Sequence, residues 1–327
     1  MWPLIKILPV KTDFRFVSFS KYAAVISILA SIASIYLALF PLSPPCGGLN
    51  CGIDFKGGTV LEFNTAPKAA DLSVIRSTLA SQGLGDPQVQ AFGTTADPKG
   101  VYNVSTRFEP GPNPAQKVEE VKAALTKNLG LSDKAFTRTE VVGPKVSGEL
   151  FRNGIWALLI AIGLMLLYIW FRFELQFGLG AVVALFHDVL LTFGMIALFK
   201  LEFSLTTVAA ILTIIGYSMN DTVVVFDRLR ENLRKYKKMP LREVIDLSIN
   251  ETLSRTVITG LTAVVALGGL AIFGGAALFG FSIIMMFGIA LGTYSSIYVA
   301  APIILLWGAK RTDEEATPVV LGPASRP

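Results

Sequence analysis

From Thr256 to Ala309 the chain carries not one Asp, Glu, Lys, Arg or His. No other feature constrains the fold so tightly. A bilayer core accepts about 20 apolar residues per helical crossing, so the run is too long for one span and fits two. Gly274-Gly275 marks the connection between them. Lipid offers no partner to a backbone N–H or C=O, so spans of this length must be helices. The same pattern, followed along all 327 residues, marks six spans at 22–40, 154–171, 177–199, 203–226, 256–278 and 281–307. Charged residues make up only 16% of the chain, against about 25% in an average soluble protein. The first span follows a basic stretch, as a signal peptide would. Its apolar core is too long for one and Ala38-Leu39-Phe40 is a poor cleavage site, so it reads as an uncleaved anchor.

Orientation follows from the short loops. Lys6, Lys11, Arg15 and Lys21 outnumber Asp13 in the tail 1–21. The 227–255 loop holds Arg228, Arg230, Arg234, Lys235, Lys237, Lys238, Arg242 and Arg255. The connection between the third and fourth spans holds only Lys200, and that between the fifth and sixth holds no base. The positive-inside rule then predicts cytoplasmic termini and a cytoplasmic 227–255 loop, with 41–153 outside as a periplasmic domain. The net charge of +5 reflects that topology and contact with anionic lipid, and nucleic acid is not an expected partner. The stretch 309–327 reads as a disordered cytoplasmic tail. Residues 241, 244, 245, 249 and 253 form an apolar face after Pro240 and predict a separate interfacial helix.

The external segment has its own pattern. Thr59–Phe63 is β-prone, Leu72, Ile75 and Leu79 stand at helical spacing, and two alternating strands follow at 88–92 and 101–105 with a turn at Asp97–Gly100. Val118, Val121 and Leu125 mark a second helix closed by Gly130, and 136–142 supplies a last strand. The order β-α-β-β-α-β predicts an α+β ferredoxin-like domain beside the polytopic helical bundle. It shows no metal-ligand cluster and no nucleophile with a base, so a docking module is expected rather than an enzyme. Cys46 and Cys51 fall at its start, where either a small disulfide loop or two free thiols fits. Gly52-Ile-Asp-Phe-Lys-Gly-Gly-Thr59 leads in. Gly57-Gly58 permits positive φ, and the residues by themselves support a structural turn.

Three ionisable groups lie at membrane depth. His187 and Asp188 are adjacent in the third span, and Asp221 lies in the fourth, within Gly216-Tyr-Ser-Met-Asn-Asp-Thr222. A carboxylate there costs about 2.5–3.5 kcal/mol or more to insert and marks a functional site by default, here a proton site. Thr206, Thr213, Tyr217 and Asp221 share an arc of about 80° at about 100° per residue. With Asn220 and Thr222 they form either a hydrated polar path or interhelical hydrogen bonds. Arg255, opening the fifth span, is either a switchable partner for Asp221 or an ordinary positive-inside anchor. Burial and an approaching cation act on a carboxylate's proton in opposite senses. His187 and Asp188 are either a second relay or a hydrogen-bonded core pair, and Asp188 with Thr192 allows a local contact. Gly288-Ile-Ala-Leu-Gly292 predicts close helix packing. No P-loop motif occurs, so an ATP engine is not encoded.

These motifs identify a family. Gly52–Thr59, His187-Asp-Val-Leu-Leu-Thr-Phe-Gly194, Gly216-Tyr-Ser-Met-Asn-Asp-Thr-Val-Val-Val-Phe-Asp-Arg228 with Arg230-Glu-Asn232, and Thr252-Leu-Ser-Arg-Thr256 closely resemble the SecF family of bacterial protein-export membrane subunits. The resemblance spans 20–308, and the Cys46–Cys51 segment departs from the family pattern. It implies the resistance-nodulation-division superfamily and the bacterial inner membrane. It also implies a SecD-like partner supplying six more spans, and association with the SecYEG channel and often YajC. Use of the proton-motive force to draw preproteins from the channel after SecA has acted is implied as well, without a cofactor or metal. It assigns proton transport to the position of Asp221 and the accompanying arginine to Arg255. Two other readings fit the residues: a structural subunit with a static Asp221–Arg255 pair, or half of a proton-driven small-molecule or lipid exporter.

Overall fold

The computed structural model describes residues 12–42, 45–69, 71–84, 87–91, 102–109 and 113–308. The expected turn at Asp97–Gly100, the tail 309–327 and residues 1–11 lie outside that set. The chain opens with α1 (Phe16–Leu39) and a loop closed by a Cys46–Cys51 disulfide. Next come β1 (Asn50–Cys51), α2 (Ile53–Lys56), β2 (Gly58–Asn64), α3 (Leu72–Ser81), β3 (Gln88–Ala91), β4 (Asn103–Phe108), α4 (Pro114–Leu129) and β5 (Phe136–Val142). The remainder is α5 (Pro144–Arg172), α6 (Leu175–Leu198), β6 (Glu202–Phe203), α7 (Leu205–Lys235), α8 (Leu241–Phe273) and a last crossing. That crossing is made of α9 (Gly275–Ser295), a π-helical turn at Ser296–Ala300 and α10 (Ala301–Trp307).

Among the described residues, six helices are long and apolar enough to cross a membrane. They make the chain a polytopic helical membrane protein. More than half of the most apolar stretch of α6, of α7 and of the last crossing is buried within the chain, whereas those stretches of α1, α5 and α8 mostly face outward. The bundle therefore has a three-helix centre. Glycine sets its tightness. A Cβ on Gly288 of α9 would run into Ile214 of α7, and one on Gly194 of α6 would run into Ser34 of α1. Gly275, at φ 69°, makes the sharp turn from α8 to α9.

The helices extend past the apolar windows, and one expectation is corrected. The predicted interfacial helix after Pro240 and the fifth span are a single helix, α8, of 33 residues. No glycine or proline lies between Leu253 and Thr256 to stop the helix, so the amphipathic half simply continues into lipid. α7 likewise runs on to Lys235, and only 236–240 link the two helices. Polar contacts hold them side by side: Asn232 Nδ2 donates to Ser248 Oγ at 3.0 Å and to Glu251 at 2.7 Å, and Arg228 pairs with Glu251 at 2.7 Å. The entry to α1 docks on the same half of α8, where Val17 N–H donates to Asp246 at 2.9 Å.

Between α1 and α5 the elements run β2-α3-β3-β4-α4-β5. They form an antiparallel sheet in the order β3-β4-β2-β5. Leu61, Phe63, Ile75, Leu79, Val104, Val121 and Leu125 are fully buried between the sheet and its two helices. Asp71 starts α3 by accepting the Ser73 N–H at 2.8 Å, and Gly130 ends α4 in the left-handed region. The opposite sheet face carries Glu62, Ser105, Arg107, Arg138 and Glu140 and helps line a cleft over the ends of α7 and α9.

Candidate functional site

Asp188 lies at the centre of the bundle and is 1% exposed. It accepts from Ser218 Oγ of α7 at 2.5 Å and Ser295 Oγ of α9 at 2.7 Å. His187 Nδ1 lies 2.9 Å from its other oxygen. One carboxylate thus ties three helices together. Thr192 donates to the Asp188 backbone carbonyl at 2.7 Å, so the expected local contact reaches the main chain. His187 stacks on Tyr294, with ring centroids 6.0 Å apart, and its Nε2 is buried without a hydrogen-bond partner. Tyr294 in turn shares a hydrogen bond with Ser27 at 2.9 Å and donates to the Ala23 carbonyl at 3.1 Å. α1 joins the network through these bonds.

This convergence depends on a glycine. A Cβ on Gly292 would lie 2.9 Å from the Ser218 Cβ. Only a glycine there lets α9 approach α7 closely enough for Ser218 and Ser295 to reach the same carboxylate. On the third side Gly180 of α6 sits against the carbonyl of Ala300 in the π-helical turn, a Cβ falling 2.7 Å from that oxygen. π-bulges occur disproportionately at functional positions, and this one starts directly after Ser295.

Asp221 stands one turn after Ser218, is 4% exposed, and interacts with Thr293 of α9. The charge of Arg255 acts on it, but the two groups do not close an ion pair, and Arg255 stays exposed on α8. Asp221 Oδ2 is buried with no hydrogen-bond partner, as is the Tyr217 hydroxyl one turn before it. Asp188 is therefore saturated with donors, and Asp221 is not.

The rest of the expected stripe divides across a seam. Thr222 is buried and donates to the Ser218 carbonyl at 3.3 Å. Thr206, Thr213 and Asn220 are exposed on the outer side of α7. Thr213 bonds its own helix at the Ala209 carbonyl, 2.8 Å away, and Thr206 bonds Ser204 at 2.7 Å. Above Thr206 opens a polar cleft of about 370 Å³, lined by Glu62, Arg107, Arg138, Glu202 and Phe281 among others. In the lead-in segment, Gly57 and Gly58 take φ of 76° and 128°, and Asp54 lies at the start of α7 with Gly52 packed against Glu202.

Ser218, Thr293 and Ser295 escaped the sequence reading. Ser218 lies inside a quoted motif but carries no charge to single it out. The two α9 residues sit in the charge-free run, where hydroxyls are frequent. Only their spacing to Gly292 hinted that they lie at a helix contact.

Comparison with known proteins places this architecture. The family described as "Protein export membrane protein SecD/SecF, C-terminal" matches residues 121–310. "Protein translocase subunit SecF" of Rhodobacter capsulatus is 46% identical, covering 96% of this chain and 95% of the relative. Its namesake in Rickettsia bellii is 41% identical, covering 96% and 99%. The crystal structure of SecDF, a translocon-associated membrane protein from Thermus, superposes with a TM-score of 0.80 at 33% identity over 92% of this chain. A SecDF in a super-membrane-facing form gives 0.64, also at 33% identity. The chain spans about two fifths of the first SecDF chain, 39%. The chain belongs to the SecD/SecF family of protein-export membrane proteins and is similar over nearly its full length to the SecF subunits.

Proposed function

We propose that this chain is a SecF-type subunit of the Sec protein-export machinery that turns proton movement into work on a preprotein. The observation that carries the reading is Asp221. It is a membrane-embedded carboxylate with one oxygen unpartnered, one turn from the Asp188 knot and within reach of the Arg255 charge. A purely structural acid is expected to be saturated, as Asp188 is. One elementary charge moved through about 100 mV supplies about 2.3 kcal/mol, enough to shift a two-state equilibrium more than tenfold. Protonation of Asp221 would release its attraction to Arg255, α7 and α8 would rearrange, and the four-stranded domain would follow.

In this reading a SecD-like subunit completes the bundle. That partner is supported by the SecDF structure, in which 92% of this chain matches only 39% of a longer chain. The domain between α1 and α5 is ferredoxin-like, a reading supported by its β-α-β-β-α-β order and its β3-β4-β2-β5 sheet. It faces the periplasm, with both termini cytoplasmic, in keeping with the basic 227–255 segment. The SecYEG channel, YajC and the emerging preprotein are the other partners. Asp188 and His187 hold the neighbouring helices in register.

The test is release of a stalled secretory protein from membrane vesicles with and without a proton gradient. Asp221→Asn is expected to abolish the gradient-dependent component while the complex still assembles. Unchanged release in that variant would leave only the structural-subunit reading.

A further inference from the structure

The segment Gly52–Gly58 lies where the four-stranded domain meets the helices, at the N-terminal end of α7 and beside α5. β1 and β6 pair in parallel, with Asn50 opposite Glu202 and Cys51 opposite Phe203. Gly52 N–H donates to the Phe203 carbonyl at 2.9 Å. Asp54 Oδ2 then accepts the Leu205 N–H at 2.9 Å, across 151 positions of sequence. Ser204, which occupies the cap position of α7, makes no side-chain cap bond. Its hydroxyl is engaged with Thr206. A carboxylate from 151 positions earlier in the chain therefore satisfies one of the free donors that open a helix, and its charge sits at the positive end of the helix dipole.

Three further contacts lock this turn in place. Phe55 packs edge-on to Phe151 at 5.5 Å and against Phe203 at 5.2 Å. Glu202, whose carboxylate fills the space a Cβ on Gly52 would need, forms an ion pair with Arg107 of β4. Beyond Asp54 the positive φ of Gly57 and Gly58 turns the chain at once into β2, an interior strand of the sheet. α7 runs unbroken from this cap to Asp221, about 24 Å at about 1.5 Å per residue.

We infer that Asp54 is a positioning residue which, with the Arg107–Glu202 pair, fixes the four-stranded domain to the end of the Asp221 helix. A displacement of α7 is then delivered to the central strands rather than lost in a loop. The source of that displacement rests on the proton-coupled reading above; the tie itself does not.

The experiment uses the full chain with its SecD-like partner in lipid nanodiscs. Spin labels are placed at Thr139 of β5 and Leu198 of α6, both exposed. The unaltered chain is expected to give one narrow distance distribution. Asp54→Ala and Arg107→Glu should broaden it. Asp54→Asn, whose amide oxygen can stand where Oδ2 accepts the Leu205 N–H, should keep it narrow. The reversal Arg107→Glu with Glu202→Arg should restore it in a chain that folds as well as either single variant. A distribution unchanged in Asp54→Ala and Arg107→Glu overturns the tie.

Release of the stalled substrate is the second readout. Asp54→Ala is expected to lower the gradient-dependent component at least tenfold and Asp54→Asn to recover it. A broadened domain with full gradient-driven release overturns transmission through this point. Should Asp221→Asn release normally while Asp54→Ala still broadens the distances, proton coupling fails and the tie stands.

Discussion

Among single residues, Asp188 and Asp221 illustrate two ways of keeping a carboxylate in a membrane. Asp188 holds two hydroxyl donors and an imidazole. Replacing it by leucine strands all three. At about 0.6 kcal/mol for each membrane hydrogen bond, Asp188→Leu is expected to cost about 2 kcal/mol, seen as a lower thermal midpoint in detergent. Asp188→Asn, which still accepts and donates, should cost less. Outside the membrane, Glu62 is buried on the polar sheet face, and burial holds its carboxyl above the ordinary glutamate value although Arg138 opposes the shift. Below that ordinary value folded and unfolded chains both carry the proton, and the group contributes nothing to pH dependence. As pH rises toward the folded value the unfolded chain loses the proton first, so stability falls across that window. Thermal midpoints measured upward from the ordinary glutamate value, about 4.3, should show this decline, and Glu62→Gln should flatten it.

Among elements, the contact of α7 with α9 is the one most sensitive to a single methyl group. Gly288→Ala and Gly292→Ala drive a Cβ into Ile214 and Ser218 respectively. Each is expected to cost about 1–3 kcal/mol by overpacking. Gly260→Ala, whose Cβ would meet its neighbours only at 3.7 Å, should be neutral. Ile214→Ala should recover part of the Gly288→Ala loss and none of the Gly292→Ala loss, measured as unfolding midpoints of the single and double variants. The GxxxG spacing announced a close contact but not its partner, because a helix face names no neighbour. The continuity of α8 was missed for a related reason. A change of composition at Arg255, from amphipathic to wholly apolar, looks like a boundary, yet backbone hydrogen bonding has no cause to stop where hydropathy changes.

On the scale of the whole molecule, α1, α5 and α8 leave most of their surface outside this chain, and the outer side of α7 carries Thr206, Thr213 and Asn220. A polar stripe of this kind is poorly matched to lipid tails and well matched to another helix. Asn220→Leu is expected to reduce co-purification of the SecD-like subunit in mild detergent and leave the unfolding midpoint of the isolated chain unchanged. Equal recovery of the partner would assign the stripe to lipid or water.

Six spans, a basic loop after the fourth, an intramembrane acid and the motifs of the SecF family were all present in the order of residues. Each is a local property: hydropathy over about 20 positions, charge counts, or short strings of side chains. Which groups meet was decided only by the tertiary structure. Asp188 gathers Ser218 and Ser295 from helices 30 and 107 positions away, Asp221 and Arg255 stop short of an ion pair, and Asp54 crosses 151 positions to open α7. Such contacts depend on how closely and at what rotation helices pack, and that is set by all the side chains of both partners at once, which no local pattern records.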